Sequence, residues 1–476
     1  MNIYSVKFLI YILSFLLPYY YVNRKIQNLL LFSASLLFVG IISVKVLVIS
    51  MVLVGINYLA GILINKNLAA PLRKTWLVRF GVFINIGVLV FFKYLGFLID
   101  NLNQLLGLAD LSVPSIEFII PIGISYYTFQ GIGYLLNVSR GVEKVETNII
   151  HFSIFMLFFP KFIAGPIERS KVFLRQLKQK IEFSEYNLIN GFQLIILGAF
   201  MKMVIGDRLA MMVNYLHSDM PHIHGGMYML IFLLQPMHLY FDFSGYTRIA
   251  LGIGKLFGIS LTDNFNRPFF ARSVGEFWKR WHISLSTWCN DYIFNHIIIK
   301  RLKWRKWASV YALMITFFVV GIWHGPNWTY IAVGLLQGIA INYEFFTKKW
   351  RLRTIGKLPL RLNRLISISL TYLFFCFTLI FFNSGTIRDA LYFISHLFAS
   401  LSPDGIGVFG LKNYLFVAFG ILFFFLLEFR QEYWNESPYD IISRTPKLIR
   451  WGVYYLLTFL IMFYSGPESS FVYMQF

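Results

Sequence analysis

The residues best suited to chemistry are histidines that fall inside or beside strongly apolar stretches. His324 lies in a turn at residues 323–328, within an apolar segment that covers 308–343. An ionisable side chain inside a membrane segment is costly and as a rule marks a functional site. An imidazole also accepts a proton near neutral pH, because its unperturbed pKa is about 6.5. We predict a functional His324; the alternative is a histidine that satisfies a neighbouring carbonyl in a tight turn.

A second histidine, His282, closes the sequence WKRWH at residues 278–282. The neighbouring Lys279 and Arg280 are groups that a phosphorylated, anionic substrate would bind through charge-assisted hydrogen bonds. By itself, however, the pattern favours an interfacial helix whose basic side chains extend toward the membrane surface. Both interpretations of His282 stay open at this point.

Three further histidines, His217, His222 and His224, lie near Asp219 in a segment predicted to form an outer loop. Metal binding is conceivable there, but no helical His-x-x-x-His spacing supports a site. A solvated loop is the preferred interpretation, and we predict no metal site in this chain.

The composition places the chain in a membrane. Of 476 residues, 57% are hydrophobic and 14% are charged, whereas soluble domains carry about 25% charged residues. Apolar runs long enough to cross about 30 Å of hydrocarbon, which takes about 20 helical residues, recur along the chain. The net charge of +21 comes from Lys and Arg residues in short loops between these runs. The positive-inside rule explains that distribution, so we predict membrane lipid and no nucleic acid as a partner.

Basic loops that alternate with apolar runs predict a topology with both chain ends outside the cytoplasm. The run at residues 3–22 has no basic leader and no small-residue cleavage site, which favours a retained helix over a signal peptide. Residues 151–166 have cytoplasmic basic residues on both sides and are predicted to be re-entrant or interfacial. We predict an all-α integral membrane protein with about ten full crossings plus re-entrant helices.

The turn that carries His324 is predicted to stop inside the membrane. Each helical arm of the segment 308–343 has about 16 residues and would extend about 24 Å, which is shorter than the hydrocarbon core. Non-helical backbone is tolerated at that depth only when it is buried in protein or lines a watery cavity. We therefore expect the ring of His324 to face the protein interior.

Six motifs in a fixed order are more specific than any single histidine. They are PIGISYYTFQ at 121–130, FPKFIAGPI at 159–167, YFDFSGY at 240–246, NFNRP at 264–268, EFWKRWHISLSTW at 276–288 and GIWHGPNW at 321–328. On these motifs the chain resembles the bacterial membrane-bound O-acyltransferases, in the branch with the alginate and peptidoglycan O-acetyltransferase membrane proteins. The resemblance implies a single membrane domain around a central tunnel, with peripheral N-terminal helices at 1–116, a catalytic core at 117–345 and C-terminal helices at 346–476.

The resemblance also implies roles for individual residues. His324 of the WHG turn is implied as the catalytic residue and His282 of the RWH motif as a second functional one. The sequence FVYMQF at 471–476 resembles a terminal FxYxxF pattern whose tyrosine, here Tyr473, is implied as a transient acyl carrier. An aromatic anchor at the membrane interface is the alternative for that tail. Substrate or donor binding is implied for Trp281, Trp323, Asn264, Asn266, Asp242, Ser244, Arg280 and Asp291.

Taken together, these features predict an O-acyltransferase of the bacterial cytoplasmic membrane. The donor would be a cytoplasmic thioester such as acetyl-CoA or an acyl carrier protein, and no cofactor would be bound permanently. The acceptor would be an extracytoplasmic polysaccharide such as alginate or the peptidoglycan, reached through an extracytoplasmic acyltransferase or esterase-like partner. His324 would act as general base, a role that contributes roughly 10² to 10⁴ in rate.

Two alternatives and two departures accompany this interpretation. D-alanyl transfer to teichoic acid is the alternative within the same class. A transporter or flippase is the alternative from another class, although the sequence shows no repeated half or paired broken helix. Relatives usually carry an acidic residue at Arg248 and a Gly-rich stretch where this chain has FNHI at 294–297. We expect these departures to affect donor selection or partner docking.

Overall fold

The computed structural model describes residues 5–107, 113–114, 121–223, 225–398, 406–469 and 471–472. Across these ranges the chain forms helices and no strand, apart from an isolated antiparallel bridge between Phe265 and Trp281. The all-α prediction is therefore confirmed. The α-helices are Val6–Tyr19, Arg24–Ile42, Val44–Lys66, Pro71–Leu89, Leu95–Leu106, Ile124–Ser139, Ile149–Leu157, Ser170–Gln176, Glu185–Ala199, Asp207–Ser218, Met227–Leu256, Val274–Arg280, Ile283–Cys289, Asn295–Lys300, Lys306–His324, Trp328–Arg353, Leu360–Asn383, Ile387–His396, Gly410–Trp434, Pro438–Arg444 and Lys447–Phe463.

Many of these helices suit a lipid environment. Large apolar side chains such as Leu59, Phe83 and Leu370 are more than half exposed on them, as lipid-facing surfaces require. The protein is a multi-pass membrane protein, and its number of crossings stays a prediction. Within the described ranges, seven helical stretches are long and apolar enough to span a membrane: Arg24–Ile42, Val44–Lys66, Pro71–Leu106, Glu185–Ser218, Lys306–His324, Leu360–Asn383 and Gly407–Trp434.

Two segments are shorter than these spans. Helix Val6–Tyr19 has 14 residues, or about 21 Å, which is less than the crossing predicted at 3–22. Helix Ile149–Leu157 has nine residues and is followed by a 3₁₀ turn at Phe159–Lys161. That length is too small for a crossing and agrees with the predicted re-entrant or interfacial segment at 151–166.

Contacts divide the chain into two compact units. One comprises Met1–Ile195 and Ile249–Thr262, and the other comprises Ile196–Arg248 and Asp263–Phe476. In the first unit, Asn57 and Asn85 exchange two side-chain hydrogen bonds of 3.1 and 2.9 Å between buried helix faces. All residues discussed below as a candidate site belong to the second unit. The predicted single domain with three parts stays a prediction.

The second unit is organised around the hairpin of helices Lys306–His324 and Trp328–Arg353. Glycine lets the arms approach closely, because a Cβ atom on Gly334 would lie 2.3 Å from the carbonyl oxygen of Phe317. The arms contain 19 and 26 residues, not about 16 as predicted. The predicted length was wrong because the helices do not end where the apolar sequence ends. They continue into the basic and aromatic segments on either side.

Within the described part of the chain, three π-helical turns join consecutive helices, at Val90–Tyr94, Phe200–Gly206 and Asn290–Phe294. Such turns insert an extra residue into a helix and occur often at functional sites. The second turn carries Lys202 and the third carries Asp291, both in the second unit.

Candidate active site

His324 is the last residue of helix Lys306–His324 and lies inside the protein. Its side chain is enclosed, with the residue 7% exposed. The ring centroid lies 5.0 Å from that of Trp323, 5.3 Å from Phe382 and 6.5 Å from Tyr330. The imidazole therefore faces packed aromatic side chains rather than lipid, as its predicted role requires.

The sequence explains why the helix ends at His324. Gly325 adopts an extended backbone, and the Pro326 that follows cannot continue a helix. Asn327 then caps the next helix, since its side-chain oxygen accepts a hydrogen bond of 3.0 Å from the Thr329 N–H. The turn thus holds His324 at a defined end of the hairpin.

His282 is fully buried and is the N-cap residue of helix Ile283–Cys289. Its backbone has φ 45°, a left-handed conformation that is uncommon for a residue with a side chain. The ring of His282 thus lies in the protein core, and the position of its segment relative to the membrane surface stays a prediction. The ring centroids of His282 and Trp323 are 5.5 Å apart, so Trp323 contacts both predicted histidines.

Burial lowers the pKa of His282, and the nearby His324 lowers it further. A group whose charged form is disfavoured by both effects stays neutral over the physiological range. His282 can therefore act as a neutral hydrogen-bonding group beside His324.

The NFNRP motif holds the turn of His282 in place. The backbone N–H of Asn266 donates to the Arg280 carbonyl at 2.8 Å, and the Ile283 N–H donates to the Asn264 carbonyl at 3.0 Å. The Asn264 side-chain oxygen also accepts from the Ser284 hydroxyl at 2.7 Å. Asn264 is buried and Asn266 is exposed, and their predicted binding roles stay predictions beside this visible structural one.

Trp281 and Arg280 both make internal contacts. Trp281 is 2% exposed and stacks on Phe277, with ring centroids 5.4 Å apart. Arg280 forms ion pairs of 2.8 Å with Glu276 and with Glu432. These contacts hold both side chains against other parts of the protein, and a direct contact of either residue with substrate stays a prediction.

Asp242 and Ser244 lie on helix Met227–Leu256 and are buried. Asp242 forms an ion pair of 2.5 Å with Lys202, which also pairs with Asp207 at 2.7 Å. The Ser244 hydroxyl faces the sulfur of Met201 at 3.8 Å. The structure therefore places Asp242 in a buried ion cluster, which the sequence interpretation did not foresee.

A cavity of about 950 Å³ opens beside the RWH segment. Val320, one helical turn before His324, belongs to its lining. Asp291 is exposed on the π turn and accepts a 3.4 Å hydrogen bond from the cavity residue Asn290. The polar and charged lining residues include Glu276, Lys279, Ser286, Thr287, Asn290, Glu344, Lys348 and Arg351.

The charged side chains that line this large cavity favour an anionic ligand. Glu344 accepts hydrogen bonds from the backbone N–H groups of Val274 and Gly275, at 2.6 and 3.1 Å, at the start of a helix. Glu276 is already paired with Arg280. Among the described residues, Lys279 and Lys348 form no ion pair, so these ammonium groups suit an anionic ligand such as a phosphate.

A smaller polar cavity of about 180 Å³ is lined in part by Asn327 of the histidine turn. Tyr330 and Phe382, which both contact His324, belong to its lining. His217 and His238 line it as well. His324 itself is not among the lining residues of either cavity, but it contacts Tyr330 and Phe382 of the smaller one and lies one helical turn from Val320 of the larger one.

The C-terminal tail enters this region. Phe471 and Val472 are 5% and 6% exposed, and Val472 lines the smaller cavity. Tyr473, the predicted acyl carrier, lies outside the described residues. Its role stays a prediction.

The outer-loop histidines separate from one another. His222 is exposed and pairs with Asp219 at 2.6 Å, as expected for a solvated loop. His217 instead lies on helix Asp207–Ser218 and lines the smaller cavity. His224 lies outside the described residues, and among those described no cluster of three potential metal ligands occurs.

Sequence reasoning missed Lys202, Asp207 and His238. Lys202 and Asp207 are charges inside the apolar helical stretch Glu185–Ser218, the same signal that identified His324. The structure also shows what surrounds Arg248, the first departure from the family pattern. Its positive charge acts on Asp263 and on the buried Glu428.

Comparison with known proteins gives a consistent result. The sequence profile of the membrane-bound O-acyltransferase family matches residues 133–386. A probable alginate O-acetylase of Pseudomonas aeruginosa is 34% identical over 334 residues, 69% of this chain and 63% of the relative. The peptidoglycan O-acetyltransferase of Helicobacter pylori is 30% identical over 79% of this chain and 75% of the relative.

A teichoic acid D-alanyltransferase of Bacillus subtilis is 31% identical over 56% of this chain and 69% of the relative. The chain spans just under two thirds of the length of the first alginate relative. The profile match covers more than half of the chain and includes His282, Trp323 and His324. This chain belongs to the membrane-bound O-acyltransferase family.

Proposed function

We propose that the protein is a membrane O-acyltransferase that moves an acyl group, acetyl in the first instance, from a cytoplasmic thioester to an extracytoplasmic glycan. The observation that carries the proposal is the buried position of His324, which contacts two residues of the smaller cavity and lies one helical turn from Val320 of the larger one. One cavity suits a large anionic donor, and the other is small and polar. The alginate and peptidoglycan O-acetyltransferase relatives support acetyl as the acyl group.

The donor site is assigned to the cavity of about 950 Å³. Lys279, Lys348 and Arg351 would bind the phosphates of a coenzyme A thioester or of a carrier-protein phosphopantetheine. The apolar side chains of Phe317 and Val320 continue the lining toward His324, which suits the thioester end of the donor.

His324 is assigned the role of general base. Its ring nitrogen takes the proton of the acceptor hydroxyl while that oxygen attacks the thioester carbonyl. The carbon–sulfur bond then breaks, and the departing thiolate takes up the proton. Proton removal by a positioned base contributes roughly 10² to 10⁴ in rate.

Tyr473 is assigned as the first acceptor. Its phenol would take the acyl group, and an extracytoplasmic partner protein would pass that group to the glycan. The burial of Phe471 and Val472 beside the smaller cavity supports this assignment. In this scheme the acyl group reaches the extracytoplasmic side while the donor stays in the cytoplasm. We place the protein in the cytoplasmic membrane, with both chain ends on the extracytoplasmic side.

The test uses the purified protein in detergent with a labelled acetyl thioester. His324→Ala should lower transfer by at least about 10²-fold, while the exposed loop variant His222→Ala should match the unaltered protein. Transfer by His324→Ala near the unaltered rate would refute the assignment. A thioester that stays intact with the unaltered protein would instead favour a transporter.

D-alanyl transfer is the second candidate, because D-alanyltransferases of teichoic acid are among the relatives. The same assay with D-alanyl and acetyl thioesters in competition decides between the two donors. We expect acetyl to be consumed faster, and a preference for D-alanyl would replace the glycan acetylation proposal.

A further inference from the structure

Lys202 is a buried cation that the proposed reaction does not use. We propose that the ion cluster Lys202–Asp207–Asp242 is a binding site for the chain's own C-terminal segment and that Lys202 is a positioning residue for Tyr473. The inference rests on the proposed carrier role of Tyr473. It concerns how the tail is held and not the chemistry at His324.

The cluster is enclosed by protein. The side chains of Lys202, Asp207 and Asp242 are 2%, 6% and 0% exposed. Lys202 lies in the π turn Phe200–Gly206, and Asp207 begins the helix that follows. Removing one partner of a buried ion pair strongly destabilises a protein, because the other charge is left uncompensated.

The cluster lacks hydrogen-bond donors by itself, because the neighbouring Arg208, whose charge acts on Asp207, donates to Asn413 and to the Val204 carbonyl. Two carboxylates face one ammonium group, so carboxylate oxygens need further hydrogen-bond donors in a buried place. The tail supplies them. The Ser469 hydroxyl donates to Asp207 at 2.6 Å, and the Val472 N–H donates to Asp242 at 2.9 Å.

Lys202 completes the interaction from the other side. Its ammonium group donates to the Ser469 carbonyl oxygen at 3.2 Å and to the Ser469 hydroxyl at 3.1 Å. The Gly466 N–H donates to the Met203 carbonyl at 2.7 Å. A Cβ atom on Gly466 would lie 3.0 Å from the Arg208 backbone nitrogen, so the tail approaches the helix backbone closely.

The aromatic residue next to these anchors extends toward the histidines. Phe471 stacks on Tyr246 with ring centroids 5.0 Å apart and lies 6.1 Å from Phe243. Phe243 in turn lies 4.8 Å from His282. The tail therefore packs on Phe243, a side chain that also contacts the second predicted histidine.

Val472 ends the described tail inside the lining of the smaller cavity. The next residue in the chain is Tyr473, and consecutive Cα atoms are about 3.8 Å apart. Fixing the backbone at Val472 therefore fixes the point from which Tyr473 starts. A loose tail would lower the fraction of time in which its phenol meets the acyl donor.

The first test is a pair of serine variants in the full-length protein. Ser469→Ala removes the hydroxyl that bonds to Asp207 and leaves the three charges intact. Ser465→Ala removes a hydroxyl whose described bond goes to the helix carbonyl of Ile461. Hydrogen exchange of the 471–472 amides should rise about tenfold or more in Ser469→Ala and stay unchanged in Ser465→Ala.

The second test measures acyl-tyrosine formation by mass spectrometry at varied donor concentration. Ser469→Ala should lower kcat for tail acylation about tenfold with KM for the thioester unchanged, since the donor cavity is not altered. Lys202→Met should have a larger effect on kcat, and Lys202→Arg should restore part of it because a cation returns. A general structural defect would change KM and the thermal midpoint together.

The outcomes separate the two proposals. If the backbone amides of residues 471–472 exchange hydrogen as fast in the unaltered protein as in Ser469→Ala, the binding site is refuted even when acyl-tyrosine forms. If those amides are protected in the unaltered protein and exchange faster in Ser469→Ala, but no acyl-tyrosine appears, the binding site is supported and the carrier role of Tyr473 is refuted. Unchanged kcat in both Ser469→Ala and Lys202→Met would refute the positioning role.

Discussion

Lys161 in the first unit and Lys202 in the second are both 1% exposed, and they differ in their partners. Lys161 donates to Gln130 and to the Phe155 carbonyl, and its ammonium group lies 5.3 Å from the Phe155 ring centroid. Lys202 instead contacts two carboxylates and the C-terminal tail. Neutral oxygens and aromatic faces contact the first cation, and the nearby buried Glu168 acts on it electrostatically. The second cation directly contacts two carboxylates and a segment far away in the sequence.

The difference shows that burial alone does not identify a functional charge. The partners of Lys161 lie within residues 130–173, close to it in sequence. Those of Lys202 extend to Ser469, 267 residues away. We therefore expect Lys161 to stabilise its own unit and Lys202 to affect transfer.

The largest effect is expected for Lys202→Met. The substitution leaves Asp207 and Asp242 uncompensated and removes the donor to Ser469. Tail acylation per folded molecule should fall about 100-fold, because the charge pair is lost and the tail is held less firmly. Single-turnover transfer from a labelled thioester measures it, and a value within threefold of the unaltered protein would remove the contrast between the two lysines.

A smaller effect is expected for Asp207→Asn. The amide oxygen can still accept from Ser469, whereas the attraction to Lys202 is lost. Tail acylation should fall about tenfold, as expected for one charge-assisted hydrogen bond. The same single-turnover assay checks it, and an effect larger than that of Lys202→Met would place the key charge on Asp207 instead.

The smallest effect on transfer is expected for Lys161→Met. Acylation per folded molecule should stay within about twofold. The free energy of unfolding should fall by about 2 kcal/mol, because Gln130 and the Phe155 carbonyl lose a buried donor and the buried Glu168 loses the charge that acts on it. Denaturant titration in detergent measures the second quantity. Lys180→Met, at an exposed position, is the control, and a strong loss of transfer in Lys161→Met alone would contradict the comparison.

The sequence predicted the centre of the site better than its wall. His324 followed from one physical rule, since an ionisable group inside an apolar hairpin needs a protein interior, and the structure provides one. Trp281 and Arg280 followed from motif membership, which marks a position but not the direction of a side chain. The structure shows Trp281 against Phe277 and Arg280 paired with Glu432.

Long-range pairing accounts for what the sequence did not predict. The charges of Lys202 and Asp207 were visible inside an apolar stretch, but their connection to Asp242 and Ser469 depends on the fold. The arms of the hairpin were predicted too short, because flanking residues such as Lys306 and Trp307 suit the membrane interface and also continue a helix. The amino-acid composition therefore does not show where such a helix begins or where it ends.

The most direct test of the central claim is chemical rescue at His324. His324→Gly removes the imidazole and leaves a space next to Tyr330 and Phe382, which line the smaller cavity. We expect a small molecule to reach that space through the cavity. Acyl transfer should be lost and should return in part when free imidazole is added, with a rate that rises as imidazole is deprotonated near pH 7. Transfer by His324→Gly at close to the unaltered rate, without added imidazole, would contradict the account.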